Sequence, residues 1–285
     1  MSIIGGSGLY DLPNLNDASW HKVDTPWGLP SDEILVGSIF GIPVAFLPRH
    51  ARGHLISPSE IPFLANIAAL KKLGVTDILS VSSCGSLKEE MAPGDFILVD
   101  QFIDRTFRRR NSFFETGCVA HVSMATPTCN RLSNQLYSLR NEIGCRLERG
   151  GTYLAMEGPQ FSTLAESLLY KDVYKCEIIG MTNMPEAKLA REAEICYQPI
   201  AMITDFDCWH SEHDNVEVTD ILKMVETNVD NVKKLLLKFL EACEPVKDPC
   251  SEGCDRALEH AIITNRDKID TELASRLRVI ADRVL

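Results

Sequence analysis

No stretch of this 285-residue chain approaches the roughly 18 consecutive apolar residues that a membrane-spanning helix needs, and no Asn-x-Ser/Thr glycosylation signal occurs in it. Basic charge is also short: 29 Lys and Arg against 40 Asp and Glu leave a formal charge of -11. Such a chain repels phosphate backbones and anionic bilayers at long range, so no nucleic acid and no membrane partner is expected. A small anion is not excluded, because it needs only a local pocket. The common hydrolase and nucleotide templates are missing as well: there is no Gly-x-Ser-x-Gly, no His-Glu-x-x-His and no Walker lysine loop. The opening Met1-Ser2-Ile3-Ile4 reads as a strand with no basic leader before it, and ten scattered cysteines suit reduced thiols, so a cytoplasmic location is expected. Cys250 and Cys254 match neither a redox pair nor a zinc pair, and no metal site is expected.

What is present is globular: 45% hydrophobic, 24% charged and 7% aromatic residues. Short β-branched runs at 2–4, 33–40, 43–48, 77–82, 96–99, 152–156, 177–181 and 199–204 alternate with helical patterns, which predicts an α/β fold. Gly41 between the second and third runs signals a hairpin, so the central sheet is expected to be mixed. Helices are expected from Ser57 to Gly74, where Ser57 and Glu60 form a capping-box pattern, after Thr163, and from Pro185. Val218, Ile221, Leu222, Val225, Val229, Val232, Leu236 and Leu240 mark one stripe of a long amphipathic helix. Pro- and Gly-containing sequence from Glu244 divides the chain into a domain over 1–243 and a linker with a helical tail over 244–285. The tail's stripe, Ile269, Leu273, Leu277, Ile280 and Val284, must be buried against its own domain, another subunit or the active site.

Several loops carry chemistry. Gly5-Gly6-Ser7-Gly8 after the first strand lacks the next glycine of a dinucleotide fingerprint, leaving either an anion-binding turn or an ordinary one. Arg49-His50-Ala51-Arg52-Gly53-His54 concentrates positive charge at a strand end, which suits a phosphate site or a solvated loop. Ser82-Ser83-Cys84-Gly85-Ser86 puts small donors at the sheet's carboxyl edge. The Arg105, Arg108, Arg109 and Arg110 cluster reads as an exposed or interfacial face. Met156 to Ser162 leads into a capped helix beside an aromatic ring, a setting for a flat heterocycle. Thr204-Asp205-Phe206-Asp207 ends an apolar strand with two carboxylates, suited to proton transfer to a ring.

In this order, these segments, together with Asp100-Gln101-Phe102-Ile103-Asp104-Arg105-Thr106 and Gly180-Met181-Thr182 with Pro185-Glu186, resemble the trimeric purine nucleoside phosphorylases over about residues 1 to 240. Members that cleave 5'-methylthioadenosine are the most similar. The resemblance implies a purine nucleoside phosphorylase-like fold, a homotrimer, and a reaction of nucleoside with inorganic phosphate as co-substrate, with no metal or organic cofactor. It implies phosphate binding by Ser7, Arg49, His50, Ser82, Ser83 and Thr182. Phe161, Ser162, Asp205 and Asp207 fall where the family holds the purine, and Met181 where it touches the ribose. Val218, Ile221 and Leu222 fall on the apolar wall for the 5' substituent, with His54 within possible reach of that end, and His121 aligns with a histidine lent by a neighbouring subunit. Gly180 stands where methylthioadenosine enzymes can carry Asn. The implied function is phosphorolysis of 5'-methylthioadenosine to adenine and 5-methylthioribose 1-phosphate, with adenosine or 6-oxopurine nucleosides as alternative substrates. Asp205 is then the acid that protonates the purine and Asp207 the acceptor for its exocyclic amine.

Overall fold

The β-branched runs come together as an 11-stranded sheet between helical layers. The structure is a computed structural model. It describes all residues except Ser7, Tyr10, Asp11, 211–217 and 244–248, and leaves the side chains of Val218, Asp220 and Ile221 undescribed. The chain runs β1 (Ser2–Gly5), β2 (Asn16–His21), β3 (Ile34–Ile39), β4 (Ile42–Pro48), α1 (Phe63–Lys72), β5 (Asp77–Ser86), β6 (Phe96–Leu98) and β7 (Gln101–Asp104). It continues through α2 (Asn130–Ser138), β8 (Leu147–Arg149), β9 (Thr152–Ala155), α3 (Leu164–Leu168), β10 (Ile178–Gly180), α4 (Asn183–Glu192), β11 (Cys196–Asp205), α5 (Val218–Ala242) and α6 (Thr271–Ala281).

The sheet order is β2-β3-β4-β1-β5-β10-β9-β7, with β11 also pairing β5 and leading on to β6 and β8. β1 lies parallel to both β4 and β5, whereas β3 and β4 form the expected antiparallel hairpin. Its two turn residues, Phe40 and Gly41, both have positive φ, the conformation that matches a two-residue hairpin loop to the strand twist. Successive residues of a strand face opposite layers, so Ile4 and Ile78 pack with Ile67, Ala187 and Leu277 under α1, α4 and α6, while Ile3 and Leu79 pack with Leu136, Leu236 and Phe239 under α2 and α5.

One strand branches the sheet. β11 pairs β5 from Asp77 to Gly85, but on the other edge β1 covers only Ile78 to Ser80 and β10 only Gly85 and Ser86. Residues 81–84 therefore face a gap between two neighbouring strands, and Ser83 is the single exposed position of β5. Ligands in open α/β sheets settle at such points of divergence.

Some expected elements differ. The helix expected from Ser57 to Gly74 is a 3₁₀ turn at Pro58–Glu60 followed by α1, and the Ser57 side chain makes no cap. Thr163 and Glu166 do form a capping box on α3. Strands β2, β7 and β8 and helix α2 are additions. Among the described residues, no helix is long and apolar enough to cross a membrane.

Candidate active site

Below the gap in β5 lies a buried polar network. Arg49, at the end of β4, donates from Nε to Glu186 Oε2 at 2.9 Å, from Nη2 to Glu186 Oε1 at 3.2 Å and to Ser80 Oγ at 2.6 Å, and from Nη1 to Val81 O at 3.0 Å. Glu186 Oε1 also accepts from Ser80 Oγ at 2.5 Å and from Tyr197 Oη at 2.8 Å. Asn183 donates to Ser80 Oγ at 3.1 Å and to Tyr197 Oη at 2.8 Å, and its Oδ1 accepts from Ser82 Oγ at 3.1 Å. Arg49 and Glu186 are both essentially inaccessible, so each charge is compensated by the other, with neutral acceptors around Arg49 and neutral donors around Glu186. This leaves the Arg49 guanidinium one Nη1 proton without an acceptor among the described residues, since five N–H groups meet four hydrogen bonds. Glu186 was visible in the sequence only as part of a motif; its position three residues into α4 gave no sign that it holds Arg49.

Around this network stand the other residues expected to meet phosphate. His50 pairs its Nδ1 with Ile56 O at 2.8 Å and stacks on exposed His54 at a ring separation of 4.2 Å. Burial first, and then the Arg49 and His54 charges, lower the His50 pKa to about 4, so at neutral pH its other ring nitrogen is an acceptor. Thr182 precedes α4; its amide reaches Tyr153 Oη at 3.4 Å, and its buried Oγ1 has no hydrogen-bond partner among the described residues. Ser83 is exposed at the gap. Ser7 lies outside the described residues.

The carboxylates sit at the far end of β11. Asp205 accepts from Thr204 Oγ1 at 2.7 Å and from the Asp207 amide at 2.8 Å. Gly85 lets it approach: a Cβ there would fall 2.9 Å from Asp205 Oδ1 and 3.0 Å from Ile179. Asp207 is buried with positive φ, and its Oδ2 has no hydrogen-bond partner among the described residues. Burial pushes both carboxyl groups upward; for Asp207 the Ser167 and Ser162 hydroxyls oppose the shift and the nearby Asp205 charge adds to it. Cys208 Sγ donates to Ser162 O at 3.4 Å, which joins the Asp207 loop to the loop carrying Ser162 and the exposed ring of Phe161.

Arg109 corrects the reading of its cluster as an exposed or interfacial face. Its side chain is inaccessible and donates to Met181 O and Met184 O at 2.6 Å and to Glu157 O at 2.9 Å, clamping together the loops that carry Met181 and Phe161. Arg108 and Arg110 remain exposed in ion pairs with Glu60 and Glu115. Gly180 has an equally local cause: a Cβ there would stand 2.0 Å from Tyr153 Oη. His121 is exposed, and its amide donates to Ala261 O. Of the expected 5' wall, Leu222 is exposed, and the side chains of Val218 and Ile221 lie outside the described residues. The residues expected to meet phosphate and those expected to meet the purine thus lie along β5, Ser83 at its gap and Asp205 against Gly85, whereas His121 and Leu222 are exposed. Among the described residues the possible metal ligands gather elsewhere, at Cys129, Cys196, Cys250 and Cys254.

The family profile described as phosphorylase superfamily matches residues 1–241. The S-methyl-5'-thioadenosine phosphorylase of Cereibacter sphaeroides is 58% identical over 285 residues, covering 100% of this chain and 98% of its own. That of Hyperthermus butylicus is 46% identical, covering 92% and 95%. A solved methylthioadenosine phosphorylase from an Antarctic soil metagenomic library superposes with a TM-score of 0.89 at 42% identity, covering 98% of this chain and 97% of its own. Methylthioadenosine phosphorylase from Schistosoma mansoni in complex with adenine superposes with a TM-score of 0.84 at 37% identity, covering 92% and 98%.

Proposed function

The chain belongs to the phosphorylase superfamily, and from that premise we propose that it cleaves 5'-methylthioadenosine with inorganic phosphate, releasing adenine and 5-methylthioribose 1-phosphate. The relatives named above support the substrate, and the cleft supports the chemistry. The observation that carries the reading is the pair of buried oxygens without a hydrogen-bond partner among the described residues, Asp207 Oδ2 and Thr182 Oγ1. A buried polar atom without a partner costs about 1–3 kcal/mol, and one acceptor and one hydroxyl are what a purine amine and a phosphate would complete.

The glycosidic bond leaves two charges to manage, on the departing purine and on the ribosyl carbon. Asp205, whose buried setting favours its protonated form, donates to purine N7 as the bond breaks. Asp207 accepts from the exocyclic amine of a 6-aminopurine, and Phe161 and Ser162 flank the ring. A 6-oxopurine offers an acceptor at that position and is disfavoured. Phosphate meets the remaining Arg49 proton, the Thr182 and Ser83 hydroxyls and Ser7, with Ser82 beside them, donates its own proton in a hydrogen bond to the accepting nitrogen of neutral His50, and lies against the developing oxocarbenium carbon. Met181 packs on the ribose, and Val218, Ile221 and Leu222, near His54, receive the methylthio group. The assembly is a homotrimer in which exposed His121 enters a neighbour's site, and the enzyme works in the cytoplasm, where its free thiols stay reduced. No cofactor takes part in these steps.

The test is adenine release at a series of phosphate concentrations. Rate should rise with phosphate to saturation and exceed that with inosine; equal release without phosphate, or a preference for inosine, would refute the reading.

A further inference from the structure

The same chain gathers a second set of reactive groups far from the cleft. The sulfurs of Cys129, Cys196, Cys250 and Cys254 all lie within 4.8 Å of one another, and all four residues are buried. They come from three separated places: Cys129 is the N-cap of α2, Cys196 opens β11, and Cys250 and Cys254 bracket the first turn of the tail. Each segment is held by hydrogen bonds. The Cys129 amide donates to Tyr197 O and the Cys196 amide to Thr76 O, both at 2.9 Å; the Cys250 amide donates to Asp255 Oδ2 at 3.0 Å, and the Gly253 amide closes onto Cys250 O at 2.9 Å. Gly253 takes positive φ there, so the turn can bring Cys254 back toward Cys250.

From this convergence we propose that Cys129, Cys196, Cys250 and Cys254 bind one zinc ion as a tetrathiolate, a structural site that fastens the tail to the α/β domain. Thiolates about 2.3 Å from a tetrahedral zinc stand about 3.8 Å apart, and Cys129 Sγ and Cys250 Sγ are 3.8 Å apart. The surroundings fit the charge. Four thiolates around a divalent ion carry net negative charge, and the Arg131 guanidinium acts on Cys196 and Arg191 on Cys254. The positive end of α2 points at Cys129. Both guanidiniums also hold neighbours, Arg131 pairing with Asp77 and Arg191 donating to Thr126 O. A cavity of about 320 Å³ lined by Thr128, Arg191, Gly253 and Cys254 gives the ion a route from solvent. On binding, the four thiols give their protons to solvent, four Zn–S bonds form, and zinc stays divalent, so no oxidant or reductant is needed. The site is structural: Cys196 and Asp205 open and close one strand, about 30 Å apart at 3.3 Å per residue. Local spacing hid it, because Cys250 and Cys254 find their partners 121 and 58 residues away in sequence, at Cys129 and Cys196 respectively.

The experiment is elemental analysis of the full chain, purified under reducing conditions and dialysed against EDTA. Zinc near one equivalent per chain, set free when a mercurial blocks the thiols, is the expected result. Cys254→Ser and Cys129→Ser should each lower retained zinc at least about tenfold, and Cys145→Ser, outside the cluster, should not. Replacement of the metal in the unmutated chain by cobalt should give the sulfur-to-cobalt charge-transfer bands of a tetrahedral thiolate site, a readout independent of how the variants fold. Chain free of metal with all four thiols titratable on unfolding, a disulfide among them by mass, or iron in place of zinc would each overturn the proposal.

Discussion

Asp205 and Asp207 are two carboxylates separated by one residue, and their surroundings differ. Asp205 is already held by two donors, whereas Asp207 keeps an unpartnered oxygen. Asp205→Asn preserves shape and removes the acid, so kcat for methylthioadenosine should fall on the order of a hundredfold or more, with little change in phosphate KM, in steady-state assays. Wild-type turnover would move the acid role to Asp207. His50 carries a prediction about pH. Its folded pKa of about 4 lies below the ordinary 6.5, chiefly through burial. The unfolded chain therefore takes up this proton first as pH falls. Stability contributed by neutral His50 is whole above about pH 6.5 and is lost progressively down to about pH 4, by roughly 1.4 kcal/mol for each unit of depression. Urea unfolding across that window should show the loss, and His50→Gln should flatten it.

At the scale of elements, the branching of β5 positions the candidate site, and close approach decides which residues the branch tolerates. Gly180 in β10 lies against Tyr153 in β9, with no room for a Cβ. Gly180→Ala should destabilise the protein by about 1–3 kcal/mol, measured by denaturant unfolding, and Tyr153→Leu should recover part of that loss in the double variant. Asn at this position, which the family resemblance allows, would need the tyrosine gone. Much of this layer was legible in the sequence: β1, the β3–β4 hairpin, β5 and β11 stand out as β-branched runs bounded by turn residues. Short β7 and β8 and amphiphilic α2 did not, because few apolar residues mark them and tertiary pairing makes them. The residues of the candidate site were legible as motifs at strand ends. Their supports were not: Glu186 reaches Arg49 across 137 residues, and Arg109 sits buried within a run of arginines that reads as solvated.

For the whole molecule, the tail is part of the domain's core. Leu273, Leu277 and Ile280 of α6 join the layer containing α1 and α4, and Arg283 pairs with Glu194 at 2.6 Å. Leu277 is fully buried, so Leu277→Ala should cost about 2–5 kcal/mol in urea unfolding, with the activity of the folded fraction retained. A cost under about 0.5 kcal/mol, the range of surface changes, would mean the tail docks elsewhere. The homotrimer expected of the chain should give roughly three times the 31.8 kDa monomer mass in light scattering. The claim on which everything else rests is that phosphate itself becomes bonded to the sugar. Phosphorus NMR of a reaction containing methylthioadenosine and phosphate follows that bond directly. The account predicts a sugar 1-phosphate resonance growing in step with adenine release as inorganic phosphate declines; adenine released with free methylthioribose and an unchanged phosphate signal would contradict it.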